Sequence, residues 1–448
     1  MIPTLSDELD VRLSERYQRL VHGHLGQAKA TAAGLHALPL ETSTLAATMA
    51  GWRFLHNPEV TLPRLAEPLL THARQAMADA CREYLLVIHD WSHLDYATHD
   101  SKRDRLLGSN PYDLGYEIRT TLAVSDTTGQ TLGVLAQDLE AQDGVHSSRF
   151  PTVQPAASHL DALADVFAFT RVHTPPALTP VHLIDREGDS VQHLRAWQDQ
   201  GHLFLVRGDI DRVVLHEGQE RSIALLPDDL ERAGAFRHSR EVLYHGRKAL
   251  QQVAETEVVL HRAGHQSRVV GEGATKKTQK KRIPGKPLPL RLIVSRVYSP
   301  EGELLATWLL LTNVPGTVSA ATLALWYYWR WLIESYFKLL KSAGQEVEQW
   351  QQETAEAIAR RLLVAAMACA VVWQLARNPA PQARRLRQLL IRLSGRQMGH
   401  RVEFTEEALL AGLWPFLAML DVLEEQSPDE LRALASTLLP ERFGTEDG

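Results

Sequence analysis

Tyr327, Arg330, Glu334 and Lys341 follow one another at intervals of three, four and seven residues, the first three inside the apolar and aromatic run from Leu325 to Leu340 and Lys341 directly after it. The run predicts one helix, and at about 100° per residue the four side chains, joined by Lys338, fall within an arc of roughly 80°. One carboxylate is thereby flanked along a single stripe by cations and a phenol, a layout suited to holding a metal ion beside a phosphodiester. The same stripe would also serve as a solvated face carrying Glu-to-Lys helix pairs, and the spacing alone leaves both readings open.

Metal-assisted phosphoryl chemistry needs further carboxylates, and two apolar runs end on one. Tyr84-Leu-Leu-Val-Ile-His-Asp90 reads as a buried strand that delivers Asp90 at its end, and Val181-His-Leu-Ile-Asp185 does the same for Asp185. A lone aspartate after a strand is usually a cap or a turn former; three acids in the order Asp, Asp, Glu are harder to explain that way. Mg²⁺ takes oxygen ligands and keeps several waters, so one or two carboxylates per ion suffice. Two ions roughly 3.5 to 4 Å apart would activate the attacking oxygen and stabilise the leaving one, with Asp90 bridging, Asp185 on one ion and Glu334 on the other. Zinc chemistry is disfavoured: the 20 histidines are scattered, and Cys81 and Cys369 are the whole thiol complement.

The Tyr-(2)-Arg-(3)-Glu-(6)-Lys pattern and the Asp185-Arg186-Glu187 triplet resemble the signatures of bacterial insertion-sequence transposases of the insertion sequence four family, which includes the transposon-five type of cut-and-paste enzyme. The resemblance implies a DDE transposase in which Asp90, Asp185 and Glu334 are catalytic and hold two Mg²⁺ ions, with Mn²⁺ as a substitute. It places Tyr327, Arg330, Lys338, Lys341, Arg186 and Arg207 on DNA phosphates. Trp308 would stack on a flipped base near the cleaved end and Trp331 would act as a second wedge, although aliphatic neighbours also allow either ring to fill a core. Gly51-Trp-Arg-Phe-Leu-His-Asn-Pro58 resembles the family's end-reading N-terminal segment, which makes Arg53 and Lys29 candidate DNA contacts. The partners implied are duplex DNA with terminal inverted repeats, target DNA and a second copy of the chain in a synaptic dimer.

These residues need a scaffold, and the predicted elements supply one. Strand 84–89, the hairpin Thr120 to Leu139 with its Thr-Thr-Gly turn, strand 181–185 and a helix from Ser190 to Asp199 give the order β-β-β, then β-α. This order matches an α/β fold with an RNase H-like core. Strand His202 to Val206 and a β-rich insertion follow, with strands at Arg212 to Leu215, Arg240 to Tyr244, Gln252 to Leu260 and Leu290 to Tyr298. The core resumes at Thr307 to Leu311 and the signature helix. The expected layout is a helical DNA-binding domain at 1–70, core at 71–208, β-rich insertion at 209–305, core with the signature helix at 306–376, and a helical region at 377–448 able to pair with a second copy.

The net charge of −6 over 448 residues argues against nucleic acid until it is resolved along the chain. His261 to Pro300 carries ten Lys or Arg against one acid, including Lys276, Lys277, Lys280, Lys281 and Arg282 in a Gly/Thr/Pro-rich setting that reads as a mobile basic loop. Arg377 to Arg401 has seven arginines and no acid, whereas Glu403 to Gly448 has eleven acids and two arginines. Two stretches could thus engage phosphates and the tail could not. The longest apolar stretch, Leu362 to Trp373, is too short to span a bilayer and reads as a buried helix. With two cysteines, no signal peptide and no membrane partner expected, the protein is placed in the cytoplasm, at the nucleoid. Two rival readings stand beside the transposase: an RNase H-like structure-specific nuclease, and a catalytically silent regulator derived from a transposase.

Overall fold

The structure is a computed structural model and describes residues 5, 10–26, 44–108, 113–270, 277–342, 344–399 and 402–437. In chain order its first elements are α1 (Val11–Gly26), α2 (Thr44–Leu55), α3 (Leu62–Ala80), β1 (Tyr84–Asp95), β2 (Leu106–Leu107), β3 (Leu114–Ser125), β4 (Thr131–Ala141), β5 (Gly144–Ser147), α4 (His159–His173), β6 (Thr179–Ile184), α5 (Val191–Asp199) and β7 (Leu203–Arg207). There follow β8 (Val213–His216), β9 (Gln219–Ser222), α6 (Leu226–Arg232), β10 (Arg237–Tyr244), β11 (Arg247–Leu260), β12 (Gly264–Val270), β13 (Lys277–Ile283), β14 (Leu288–Tyr298) and β15 (Leu304–Thr312). The chain ends with α7 (Ala320–Trp329), α8 (Leu332–Lys341), α9 (Ala355–Arg377), α10 (Pro381–Ser394), α11 (Glu406–Glu425) and α12 (Pro428–Ser436). The result is a mixed α/β fold. It divides into two compact units, one of Met1–Leu69, His93–Tyr116 and Tyr336–Gly448, the other of Leu70–Ser92 and Glu117–Ser335.

The second unit is organised by a large mixed sheet of order β5-β4-β3-β1-β6-β7-β15-β14-β11-β8-β9. β1, β6 and β7 are parallel, while β3 and β4 form an antiparallel hairpin. Parallel strands are covered on both faces, and so Tyr84–His89 is buried without a break rather than alternating. Under one face lie Ala73 and Met77 of α3 against Leu85 and Val87. A second cluster runs from Phe167 and Trp197 through Val206 to Val258 and Leu292, so β7, β11, β14 and β15 share one continuous core. The carboxylate of Asp126 accepts from the backbone N–H of Arg82, Glu83 and Tyr84 at 3.0–3.1 Å and fixes the entry to β1. At Gly129 the β3–β4 turn needs φ +67°, and a Cβ there would overlap the Trp329 ring, so both backbone and space call for glycine.

In the first unit α9 buries the apolar stretch Leu362 to Trp373 almost throughout. The arginines that precede it are structural. Arg360 donates to the carbonyls of Leu55 and Val60 at 2.8 and 2.7 Å, closing the C-terminal end of α2, and Arg361 lies 4.1 Å over the Trp350 ring. Tyr17, Leu20, Val21 and Leu25 of α1 are buried, with α1 packed on α9 and α11. Among the described residues no helix is long and apolar enough to cross a membrane.

Two expectations need correction. Among the described residues the basic segment is strand and not loop: β12 and β13 pair antiparallel, Gln266 with Lys281 and His265 with Arg282. A strand that is polar from Lys277 to Arg282 leaves no apolar alternation, which is why composition reads as a loop. The run Leu325 to Leu340 is not one helix either. It breaks between α7 and α8, where Arg330 and Trp331 donate to Tyr327 and Tyr328 three residues back instead of four. Five rings among the six residues Trp326–Trp331 cannot all fit one helical face, and the tighter 3₁₀ winding turns Arg330 inward while Trp331 stays 52% exposed.

Candidate functional site

The parallel register joins Ile88 of β1 to Leu183 of β6. Asp90 lies two residues beyond this last pair on β1, and Asp185 two residues beyond it on the other chain segment, just past the end of β6. Asp90 is not the last residue of its strand, since β1 continues to Asp95. Asp185 follows β6 directly and caps the 3₁₀ turn Arg186–Gly188, its Oδ1 accepting from the Glu187 N–H at 2.8 Å. Capping and presentation at a strand end thus coincide in one residue. Side chains alternate along a strand, so Tyr84, Leu86, Ile88 and Asp90 share the face on which α7 lies, with Tyr84 5.3 Å from Trp326. On the other face His89 bonds His182 at 2.9 Å, and Phe167 stacks on His182 at 3.5 Å. Burial pushes the His89 pKa down to about 3, so this pair is an uncharged floor beneath the aspartates.

Arg330 reaches Asp90 from the turn between α7 and α8, its Nη1 donating to Asp90 Oδ2 at 2.9 Å. Asp90 Oδ1 accepts from the Trp91 N–H. Burial raises the Asp90 pKa to about 6; Arg330 and the Trp91 N–H oppose the shift, while Glu334 and Asp185 add to it. Glu334, exposed in the first turn of α8, and Asp185 are therefore near enough for like charge to be felt at Asp90. Burial also pushes Tyr327 up to about 12, against the pull of Arg330 and Arg207, so its phenol stays protonated and can donate. Arg330 itself works against burial, yet Tyr327, Asp90, Asp185 and Glu334 hold its pKa above the usual value. Its Nε is buried without a partner among the described residues, a donor waiting for an anion.

Beside this constellation opens a cavity of about 720 Å³ lined by Arg207, Trp308, Tyr328 and Trp331 together with Tyr244 and Ser335. Arg207 faces Leu310 across β7 and β15. Alternation along β15 sends Leu309 and Leu311 into the core and Trp308 to the cavity side with Arg207. Tyr244, whose ring lies 6.3 Å from that of Trp308, and Tyr328, whose hydroxyl donates to the Leu243 carbonyl, are site residues that sequence reasoning missed. The aromatic run Trp326–Trp331 was the available signal for Tyr328; for Tyr244 there was none.

A comparison with protein-family models finds no match, and a comparison with curated proteins finds none either.

The remaining expected contacts are dispersed. Arg186 is exposed beside Asp185, and Arg53 is exposed on α2. Lys281 and Arg282 are exposed on β13, the strand that also carries Lys277 and Lys280; Lys276 and Lys29 lie outside the described residues. Lys338 and Lys341 belong to the first unit, where Lys338 pairs with Glu407 at 2.6 Å and Lys341 with the His93 carbonyl and Glu348. Both lysines share α8 with Glu334; the 3₁₀ turn breaks the stripe that was to unite them with Tyr327 and Arg330. The arginine-rich stretch is also partly neutralised at home: Arg384 and Arg387 meet Glu403, and Arg396 meets Glu407.

Among the described residues, no three or more His, Cys, Asp or Glu are gathered closely enough to enclose an ion. The donor chemistry nevertheless fits magnesium. Asp90, Asp185 and Glu334 supply oxygen only, their charges repel one another at Asp90, and an ion that keeps its waters and takes phosphate oxygens needs one or two carboxylates rather than a closed cage.

Proposed function

We propose that this chain is a DDE transposase that binds transposon ends and carries out metal-dependent DNA cleavage and strand transfer. The observation that carries the reading is that Asp90 and Asp185 follow the last pair of two parallel neighbouring strands, with Asp185 and Glu334 both close enough to raise the Asp90 pKa. The strand order β4-β3-β1-β6-β7, with a hairpin leading into parallel strands, supports an RNase H-like core. Asp90, Asp185 and Glu334 would hold Mg²⁺, or Mn²⁺ in its place. Such ions would supply Lewis acidity to the attacking and leaving oxygens.

The chain's own residues then do the following. Arg330, through its free Nε, and Arg207 orient the scissile phosphate; Tyr327 donates a hydrogen bond to it. Water attacks phosphorus, an O–P bond forms, the bond to the 3′ oxygen breaks, and the 3′ oxygen departs as a hydroxyl. That hydroxyl attacks phosphorus of the opposite strand in turn; its oxygen bonds to phosphorus, the bond to the 3′ oxygen of the flanking DNA breaks, that oxygen leaves as a hydroxyl, and a hairpin closes, while Trp308 and Trp331 hold an unstacked base in the aromatic cavity. The hairpin is reopened before insertion. The β12–β13 arm, Arg186 and Arg53 add phosphate contacts, and a second copy of the chain completes the synaptic complex. Such an enzyme works at the nucleoid.

The test is to incubate the full chain and Mg²⁺ with end-labelled duplex carrying the inverted repeats that flank its gene, plus target plasmid. Joined products support the transposase. Cleavage without joining would replace it by a structure-specific nuclease, and binding without either by a silent regulator. Asp90→Ala, Asp185→Ala and Glu334→Ala each abolish nicking while end binding survives; nicking at near wild-type rate by any of them removes that residue from the triad.

A further inference from the structure

His159 on α4 touches the segments that carry both aspartates. Its ring lies 4.3 Å from that of Trp91, the residue after Asp90 whose N–H bonds Asp90 Oδ1. Its Nδ1 is 2.8 Å from Glu187 Oε1, and the Glu187 N–H is the donor to Asp185 Oδ1. Its Nε2 lies 3.0 Å from both carboxylate oxygens of Glu117 on β3. Glu117 is braced in turn by Arg119 at 2.8 Å, which also pairs with Glu140 on β4.

We propose that His159 is a positioning residue that sets the distance between Asp90 and Asp185 by tying Trp91 and the Arg186–Gly188 turn to the β3–β4 hairpin. The inference deepens the metal reading of those aspartates and rests on it. Both ring nitrogens face carboxylates, so both must donate, and only the imidazolium does so. Burial opposes that charge, but the hydrogen bonds to Glu117 and Glu187 outweigh it and raise the His159 pKa to about 9. The bond from Glu187 to Asp185 runs through a single 3₁₀ turn, too short to hold its shape alone. Without the imidazolium, Glu117 would keep Arg119 but Glu187 would lose its partner and swing toward solvent, where its side chain is already 48% exposed. The turn would carry Asp185 with it.

The experiment measures Mn²⁺ binding to the full chain, without DNA, from the paramagnetic resonance signal of the free ion. His159→Gln and Glu187→Ala each weaken binding about 10-fold, the usual scale for groups that orient metal ligands. The double variant is no weaker than the worse single one, because both act along one path, and Glu187→Gln, which keeps an acceptor for Nδ1, recovers part of the loss. If His159→Gln does not fold, Glu187→Ala carries the test, since it alters an exposed side chain. Affinity within twofold of wild type in the folded variants overturns the proposal, leaving His159 as a brace of the fold. Asp185→Asn separates the two levels: unchanged binding there removes the metal reading and this inference with it, whereas lost binding there with wild-type affinity in the His159 and Glu187 variants removes this inference alone.

Discussion

Arg330 donates to Asp90 across 2.9 Å from a position only 7% exposed, and so the guanidinium supplies the nearest counter-charge to the central carboxylate. Its planar fork makes this bond through Nη1 and leaves Nε for an anion. Arg330→Gln keeps a hydrogen-bond donor but loses charge and fork. Single-turnover cleavage should fall by about 100-fold or more, the scale of losing one preorganised donor at a developing charge, while equilibrium binding of end DNA changes little. Arg330→Lys should recover only a fraction. A cleavage rate within a few-fold of wild type for Arg330→Gln would confine this residue to pairing with Asp90.

The displaced pKa of Asp90 bears on stability. With a folded value of about 6 against 3.8 unfolded, the native state favours the protonated acid. The resulting stabilisation is fully present below pH 3.8 and is lost as pH rises through about 6. Above that pH the ionised, partly buried carboxylate is a burden on the metal-free protein, and Asp90→Asn removes it. Urea unfolding in chelator should show the variant gaining on wild type between pH 4 and 6.5, by about 1–3 kcal/mol, then a constant difference. A difference that does not vary across this range would mean that Arg330 holds the carboxylate ionised throughout.

How far the sequence reaches depends on the range of the forces involved. Asp90 and Asp185 were legible because both close apolar runs that parallel strands require, and the β3–β4 hairpin was legible from its turn residues. The break at Arg330 was not: one 3₁₀ turn hardly alters an apolar pattern, and Asp90, the partner that Arg330 meets there, lies 240 residues away. His159 was invisible for the same reason, since its partners Glu117 and Glu187 stand 42 and 28 residues distant. Arg360 and Arg361 head an apolar helix and are buried by groups the local sequence does not contain.

The basic arm gives a prediction sharpened by its being strand and not loop. Changing Lys276, Lys277, Lys280, Lys281 and Arg282 together to Gln should reduce the slope of log affinity against log salt by roughly 0.9 for each phosphate no longer neutralised. Lys281 and Arg282 are successive on β13 and exposed, so they point to opposite faces. A duplex lying on one face meets only one of them, and of these two single Gln variants only one should shift the slope. No shift in the fivefold variant would make the arm a solvated surface feature.

Trp308 tests the part of the mechanism that the carboxylates cannot reach. The strand turns its neighbours Leu309 and Leu311 into the core and Trp308 toward the cavity it shares with Arg207 and Trp331. First-strand nicking needs the metal site and an undistorted phosphate, so Trp308→Ala should nick at nearly the normal rate. Hairpin closure needs an unstacked base, and losing a stacking partner costs roughly 1 to 3 kcal/mol, or about 5- to 150-fold in rate if felt fully in that step. Nicked DNA should accumulate on a denaturing gel of end-labelled substrate. Trp308→Phe should restore part of the rate, because stacking tolerates a change of ring better than a hydrogen bond tolerates a change of donor. The preparation must melt at the wild-type temperature, so that a core defect is not mistaken for a missing stacking surface. Hairpins formed at the normal rate by Trp308→Ala, or a protein that no longer folds, would return Trp308 to packing and leave the aromatic cavity without a role in strand closure.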